Sequence, residues 1–180
     1  METEQQLLNA IQTGERTALR RLYERYLGYA MAVGLRYIPD RTTVEDVVQD
    51  SFVKILTSVQ QFEFRGEGSL AHWVASIVAH QACDYVRKHE QLVFPDHLPE
   101  VPADDEMERI EVPPDVLTGM IARLPAGYRL VLNLFVFEHC SHQEIALRLG
   151  IKEHSSTSQL ARARKLLQNM LKDYQKRQEI

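Results

Sequence analysis

The stretch 141–167, SHQEIALRLGIKEHSSTSQLARARKLL, constrains the fold more than any other. Ser141 stands three residues before Glu144, a capping box in which each side chain satisfies a free amide at a helix start. Ile145, Ala146 and Leu149 then recur at helical spacing. Gly150 follows, where a helix can end on a left-handed residue without a Cβ clash. A second helix opens between Lys152 and Ser155, with Leu160, Ala163, Leu167 and Met170 as its apolar stripe. A short helix, a tight glycine turn and a longer second helix form a helix-turn-helix, whose second helix can enter a major groove. Its outward face offers Thr157, Ser158, Gln159, Arg162 and Arg164, which suit base edges and phosphates. An ordinary helical hairpin with a solvated polar face has the same spacing, so the rest of the chain must decide.

Charge is the next discriminator. The net charge of −4 looks wrong for a partner of nucleic acid until the chain is divided. Residues 1–90 hold 10 Lys and Arg against 12 Asp and Glu. Residues 91–112 hold 1 against 7, and residues 113–180 hold 10 against 6. Positive charge therefore travels with the helix-turn-helix, and the negative charge is concentrated in the middle. Hydrophobic residues make up 44% of the 180, enough for real cores, yet no apolar run is long enough to span a bilayer. The acidic, amphipathic start METEQQLLNAIQTGE reads as a helix rather than a secretory leader. Cys83 and Cys140 have no paired spacing, which suits a reducing cytoplasm.

The pattern is helical throughout, with no strand-like alternation. Residues 4–12 make a short helix with Leu7, Leu8 and Ile11 inward. A longer one runs from about Arg16 to Tyr37, with Leu19, Leu22, Tyr23, Tyr26, Leu27, Ala30 and Val33 as its apolar face. Thr42 before Glu45 reads as a second capping box, opening a helix to about Val59. On that helix Asp46, Gln49, Asp50 and Val53 share a face away from the core, either solvated or docked on a partner. The loop FEFRGEGS joins two aromatics, an arginine and two glycines, and Ser69 reads as the cap of a helix to about Lys88. Leu70, Trp73, Ile77, Val78 and Tyr85 of that helix read as inward. Prolines and acids fill 91–112, which reads as an extended linker. Asp115 reads as the cap of a helix to Arg123, and Tyr128 to Phe137 as an apolar helix packed on the helix-turn-helix. The expected fold is all-α: a helical domain over 1–90, the acidic linker over 91–112, and a helix-turn-helix domain over 113–180.

Taken together the two halves resemble bacterial RNA polymerase sigma factors of the small extracytoplasmic-function group. LYERY at 22–26 resembles the start of that family's core helix, and VEDVVQDSFVKIL at 44–56 the helix that docks on the polymerase clamp. GSLAHWVASIVAHQACDYVRK at 68–88 is similar to the segment that melts and reads the minus-ten element. LPAGYRLVLNL at 124–134 and the helix-turn-helix resemble the domain that reads the minus-thirty-five element. The resemblance implies a factor that binds core RNA polymerase and promoter DNA, with no cofactor, metal or catalytic residue, and often an anti-sigma partner. It implies that Asp46, Gln49 and Asp50 meet the polymerase clamp. It implies minus-ten contacts for Phe64, Arg65, Ser69, Trp73, His80, Asp84 and Arg87, with the loop 64–69 and His80 holding a flipped base. It implies minus-thirty-five contacts for Ser155, Thr157, Ser158, Gln159, Arg162 and Arg164. The chain departs from the family at His80, where Asn is usual, at His154-Ser155, where Gly-Thr is usual, and at Thr157, where a basic residue is common.

Three other classes compete with this reading. Asp46, Asp50 and the adjacent Glu45 make a metal site thinkable, but His139, Cys140 and His142 match no four-ligand zinc spacing. No nucleophile with a supported base and no phosphate-binding glycine loop is present, so an enzyme is not expected. An autonomous helix-turn-helix regulator would carry a receiver or ligand domain first, and the all-helical first half lacks a parallel-sheet pattern. An adaptor such as an anti-sigma protein is the weakest rival.

Overall fold

A computed structural model of the chain describes residues 2–92 and 111–178. Among the described residues every regular element is helical, as expected, and the backbone forms two compact units, Met1–Tyr85 and Val86–Ile180. The acidic stretch expected as a linker falls mostly on 93–110, outside the described residues. Among the described residues no helix is long and apolar enough to cross a membrane.

In the first unit, α1 (Glu4–Gln12) opens on Thr3. The Thr3 hydroxyl accepts from the Gln6 amide, and the Gln6 side chain accepts from the Thr3 amide. Leu7, Leu8 and Ile11 are buried as their spacing predicts. α2 (Ala18–Tyr37) buries Leu22, Tyr26, Ala30 and Val33, but Leu19 is 39% exposed. Ala18 takes the inward position in that first turn, one helical step away. α3 (Arg41–Ser58) buries Val44, Val47, Val48, Phe52 and Ile55, and a 3-10 turn over Val59–Gln61 buries Val59. The cap of α3 is Asp40, not Thr42: its carboxylate accepts from the Thr43 amide at 2.8 Å and the Thr43 hydroxyl at 2.6 Å. α2 and α3 approach closely at Gly34, where a Cβ would lie 2.8 Å from Val44 Cγ1. α4 (Ser69–His89), which lies in this unit as far as Tyr85, buries Leu70, Val74, Val78, Ala79 and Ala82, while Trp73, Ile77 and Tyr85 are half-buried.

In the second unit, α5 (Pro114–Ala122) starts after Pro113 without a side-chain cap. Asp115 lies inside the first turn, where its charge complements the helix dipole but cannot cap. Pro114 explains the earlier start, since proline suits the first helical position. α6 (Ala126–Val136) is almost wholly buried from Gly127 to Leu134. Its Arg129 is buried, and one guanidinium nitrogen donates to the Leu124 carbonyl at 2.8 Å and the Ala122 carbonyl at 3.3 Å, which fixes the turn after α5. α7 (His142–Leu149) has the Ser141–Glu144 capping box and ends on Gly150 at φ 68°, as expected. α8 (Glu153–Gln178) packs along α6 and α7, with α5 against it. Leu160 and Ala163 are buried, whereas Leu167 and Met170 are half-buried.

Candidate functional site

The residues singled out by sequence fall on three surfaces. The first is α3, where Asp46, Gln49, Asp50 and Val53 are all exposed on one side. Val53 is 62% exposed, so the row ends on an apolar group in solvent. α3 packs on α2 through its other side, so this row is rigidly presented rather than carried on a loop.

The second surface joins the loop before α4 to one stripe of α4. Ser69, Trp73, His80, Asp84 and Arg87 fall within an arc of roughly 60° at 100° per residue. Arg87 is exposed and the other four are half-buried. Trp73 stacks at a tilt on Phe62, with ring centroids 5.1 Å apart, so its ring is partly committed to holding the loop. Phe64 is half-buried and Arg65 exposed. Ser69 is not the cap expected of it: it lies in the first turn, and its hydroxyl accepts from the Arg65 amide at 3.2 Å.

The cap of α4 comes from α1 instead. One carboxylate, Glu4, accepts from the amides of Gly68 at 2.9 Å, Leu70 at 3.0 Å and Ala71 at 3.0 Å. It also accepts from the Tyr26 hydroxyl at 2.8 Å. Glu4 is 3% exposed. Burial pushes its carboxyl up, but the bonds from Tyr26 and the three amides outweigh this and hold it below the usual carboxylate range. Burial, and then the bond to Glu4, raise the Tyr26 phenol above its ordinary value. Sequence reasoning missed Glu4 because its only local signal is an acid in a first turn. The three amides it caps lie more than sixty residues away.

The third surface is the first half of α8. Thr157, Ser158 and Arg164 are exposed, and Arg162 is half-buried. The Arg164 guanidinium lies 5.7 Å from the centre of the Phe135 ring. Ser155 and Gln159 are corrected here: they are 3% and 1% exposed, on the face packed against α6 and α7. Ser156 is buried with them, and its hydroxyl lies 2.9 Å from His142 Nδ1, which joins α7 to α8. The His142 ring stacks on Phe135, and burial lowers its pKa. The outermost stripe of α8 is His154, Thr157, Ser158, Ala161 and Lys165, of which Ala161 is half-buried and the others exposed. His154 and Lys165 were missed as outward groups. Stepping four and seven residues from Ser158 would have found them.

The two halves match known sequences in order. Residues 22–91 match the family model for Sigma-70 region 2, and residues 115–167 match that for Sigma-70, region 4. The chain is 26% identical over 189 residues to the ECF RNA polymerase sigma-E factor of Haemophilus influenzae, covering 94% of this chain and 95% of that protein. It is 24% identical over 159 residues to the ECF RNA polymerase sigma factor SigM of Bacillus subtilis, covering 81% and 90%. A solved structure described as "Structure of CnrH in complex with the cytosolic domain of CnrY" is 23% identical, covers 93% of this chain and 96% of its own, and has a TM-score of 0.47.

Proposed function

We propose a division of labour for this chain, which belongs to the extracytoplasmic-function group of the sigma-70 family. It is a sigma factor: it binds core RNA polymerase and promoter DNA and directs promoter-specific initiation. The observation that carries this is the presence of both family regions, in order, on one chain. An autonomous regulator would have no use for the first of them.

In our reading the domain over 1–90 docks on the polymerase and opens the minus-ten element. The domain over 113–180 reads the minus-thirty-five element, and 91–112 joins them. Asp46, Gln49 and Asp50 meet the clamp, where exposed polar groups on a packed helix supply orientation rather than bulk affinity. The loop 64–69 and the α4 stripe through Trp73, His80, Asp84 and Arg87 take a base out of the stack. Unstacking costs a few kcal/mol, which aromatic stacking and hydrogen bonds must return. Thr157, Ser158, Arg162 and Arg164 face the major groove, with His154 and Lys165 beside them. Short hydroxyls let the helix sit close to base edges, and the cations neutralise phosphates.

The chain itself carries no bond-making step in this reading; the polymerase does. It acts where core polymerase is, in the cytoplasm, with an anti-sigma protein as its inhibitor. Residues 91–112, with 7 acids against 1 base, repel phosphate and lower the affinity of the free protein for DNA. Core polymerase relieves this by fixing the spacing of the two DNA-binding domains, so that two weak contacts engage one duplex together. Run-off transcription with core polymerase on a genomic promoter library tests the reading. Discrete start sites that need both proteins are expected, with weak DNA binding by the free chain at physiological salt. Tight, sequence-specific binding by the chain alone would overturn it.

A further inference from the structure

A loop that captures a base needs a fixed shape, and the loop 62–69 sets part of its own through the Arg65 amide on Ser69 and the Phe62–Trp73 stack. Gly66 and Gly68 both have positive φ, at 115° and 89°, and glycine ordinarily visits many conformations at no cost. The residue before α4 is Gly68, which has no side chain to cap the helix. The end of the loop that enters α4 is held from α1. The Glu4 carboxylate holds one loop amide, Gly68, and two amides of the first turn of α4, Leu70 and Ala71. The contact is reciprocal, because Glu67 of the loop accepts from the Glu4 amide at 3.3 Å. Tyr26 of α2 donates to the same carboxylate and sets its position.

At φ 89° position 68 strains any residue that carries a side chain, so α4 cannot take a cap from the residue before it and takes one from the other end of the unit. What the remote cap adds is register. It ties the loop and the start of the α4 stripe to α1 and α2, and the charge-assisted bonds lie away from water, where they are strongest.

We propose that Glu4 is a positioning residue for promoter opening, holding the loop 64–69 and the first turn of α4 in the geometry that receives the unstacked base. This rests on the reading that this loop, with His80, forms the base pocket. Glu4 touches no DNA in this proposal; it acts through the loop.

The test uses full-length variants assembled with core polymerase. Glu4→Gln keeps the size but sets an amide against three amide donors, and Tyr26→Phe removes one bond of the four. Core binding and affinity for minus-thirty-five duplex should stay within about twofold for both, since neither surface is touched. Promoter opening, followed by 2-aminopurine fluorescence in the minus-ten element, should slow by about tenfold in Glu4→Gln, the worth of one charge-assisted bond, and less in Tyr26→Phe. In a randomised minus-ten selection, base preference should flatten at the captured position only. A merely structural role would lower melting temperature and all activities together and leave the preference profile unchanged. Phe64→Ala and His80→Asn run in parallel. Altered preference in these with normal opening and preference in Glu4→Gln overturns the Glu4 proposal. Unaltered preference in all of them overturns the base-pocket reading instead.

Discussion

Gln159 separates two accounts of the recognition helix. By spacing it belongs with Thr157 and Ser158 on an outward face, and in the structure it is 1% exposed. Its Oε1 has no hydrogen-bond partner among the described residues. A buried carbonyl left unpaired costs about 1–3 kcal/mol. Methionine has the same length without the polar atoms, and volume-conserving swaps in a core cost less than about 1.5 kcal/mol. Gln159→Met should therefore raise stability by about 1 kcal/mol, or about 4–8 °C for a unit of this size. A glutamine that bonded a base would give the opposite result. Its loss would cost about 1–3 kcal/mol of discrimination, which is roughly tenfold to a hundredfold in affinity. Thermal melting of the full chain, followed by circular dichroism, reads the first quantity. Competition binding of the assembled holoenzyme on minus-thirty-five variants reads the second. A tenfold loss of promoter affinity with an unchanged or lower melting temperature would refute the buried placement.

Three further outcomes are expected. Gln49→Ala with Asp50→Ala should weaken core polymerase binding at unchanged helicity, because both side chains are exposed on α3; equal capture in a pull-down removes them from the interface. Arg162→Ala should cost about 1–3 kcal/mol of promoter affinity if it reads a guanine, or reduce the salt slope by about one if it holds a phosphate, and early melting with neither effect would make it a packing residue. Stability should fall as pH falls, since His142, through burial, and Glu4, through its hydrogen bonds against burial, both titrate below their unfolded values in the folded chain. The His142 contribution is present above about pH 6.5 and the Glu4 contribution above about pH 4.5, so urea midpoints should drop in two steps, and a flat profile from pH 7 to 5 would exclude the first.

The helix-turn-helix was legible because its signals are local. Ser141 and Glu144 cap each other across three residues, and Gly150 takes the left-handed position that few other residues accept. The errors in the first half are errors between near-equal local candidates. Asp40 and Thr42 are both good caps, and what decided for Asp40 was Thr43, which offers it two donors. Ser69 looked like a cap because the true cap, Glu4, is reached only once α1 has folded back against the start of α4. Leu19 makes the same point from the apolar side: 39% exposed, it is a hydrophobic position that no core contact claims in full.

The misplacement of Ser155 and Gln159 has a different cause. Periodicity finds a helix face by contrast between apolar and polar residues. At the start of α8 both faces are polar. Thr157 and Ser158 look outward, while Ser155, Ser156 and Gln159 look inward. The inward set is small or flexible, and the two serines let α7 pass close across the start of α8. The Ser156–His142 contact then fixes one helix on the other through a hydrogen bond rather than through bulk. Buried hydrogen bonds of this kind specify a geometry, whereas apolar contact alone tolerates sliding. A helix that must present short groups to a groove in one register has use for that. The same demand that makes α8 suited to reading DNA removes the hydrophobic contrast by which its faces could be told apart.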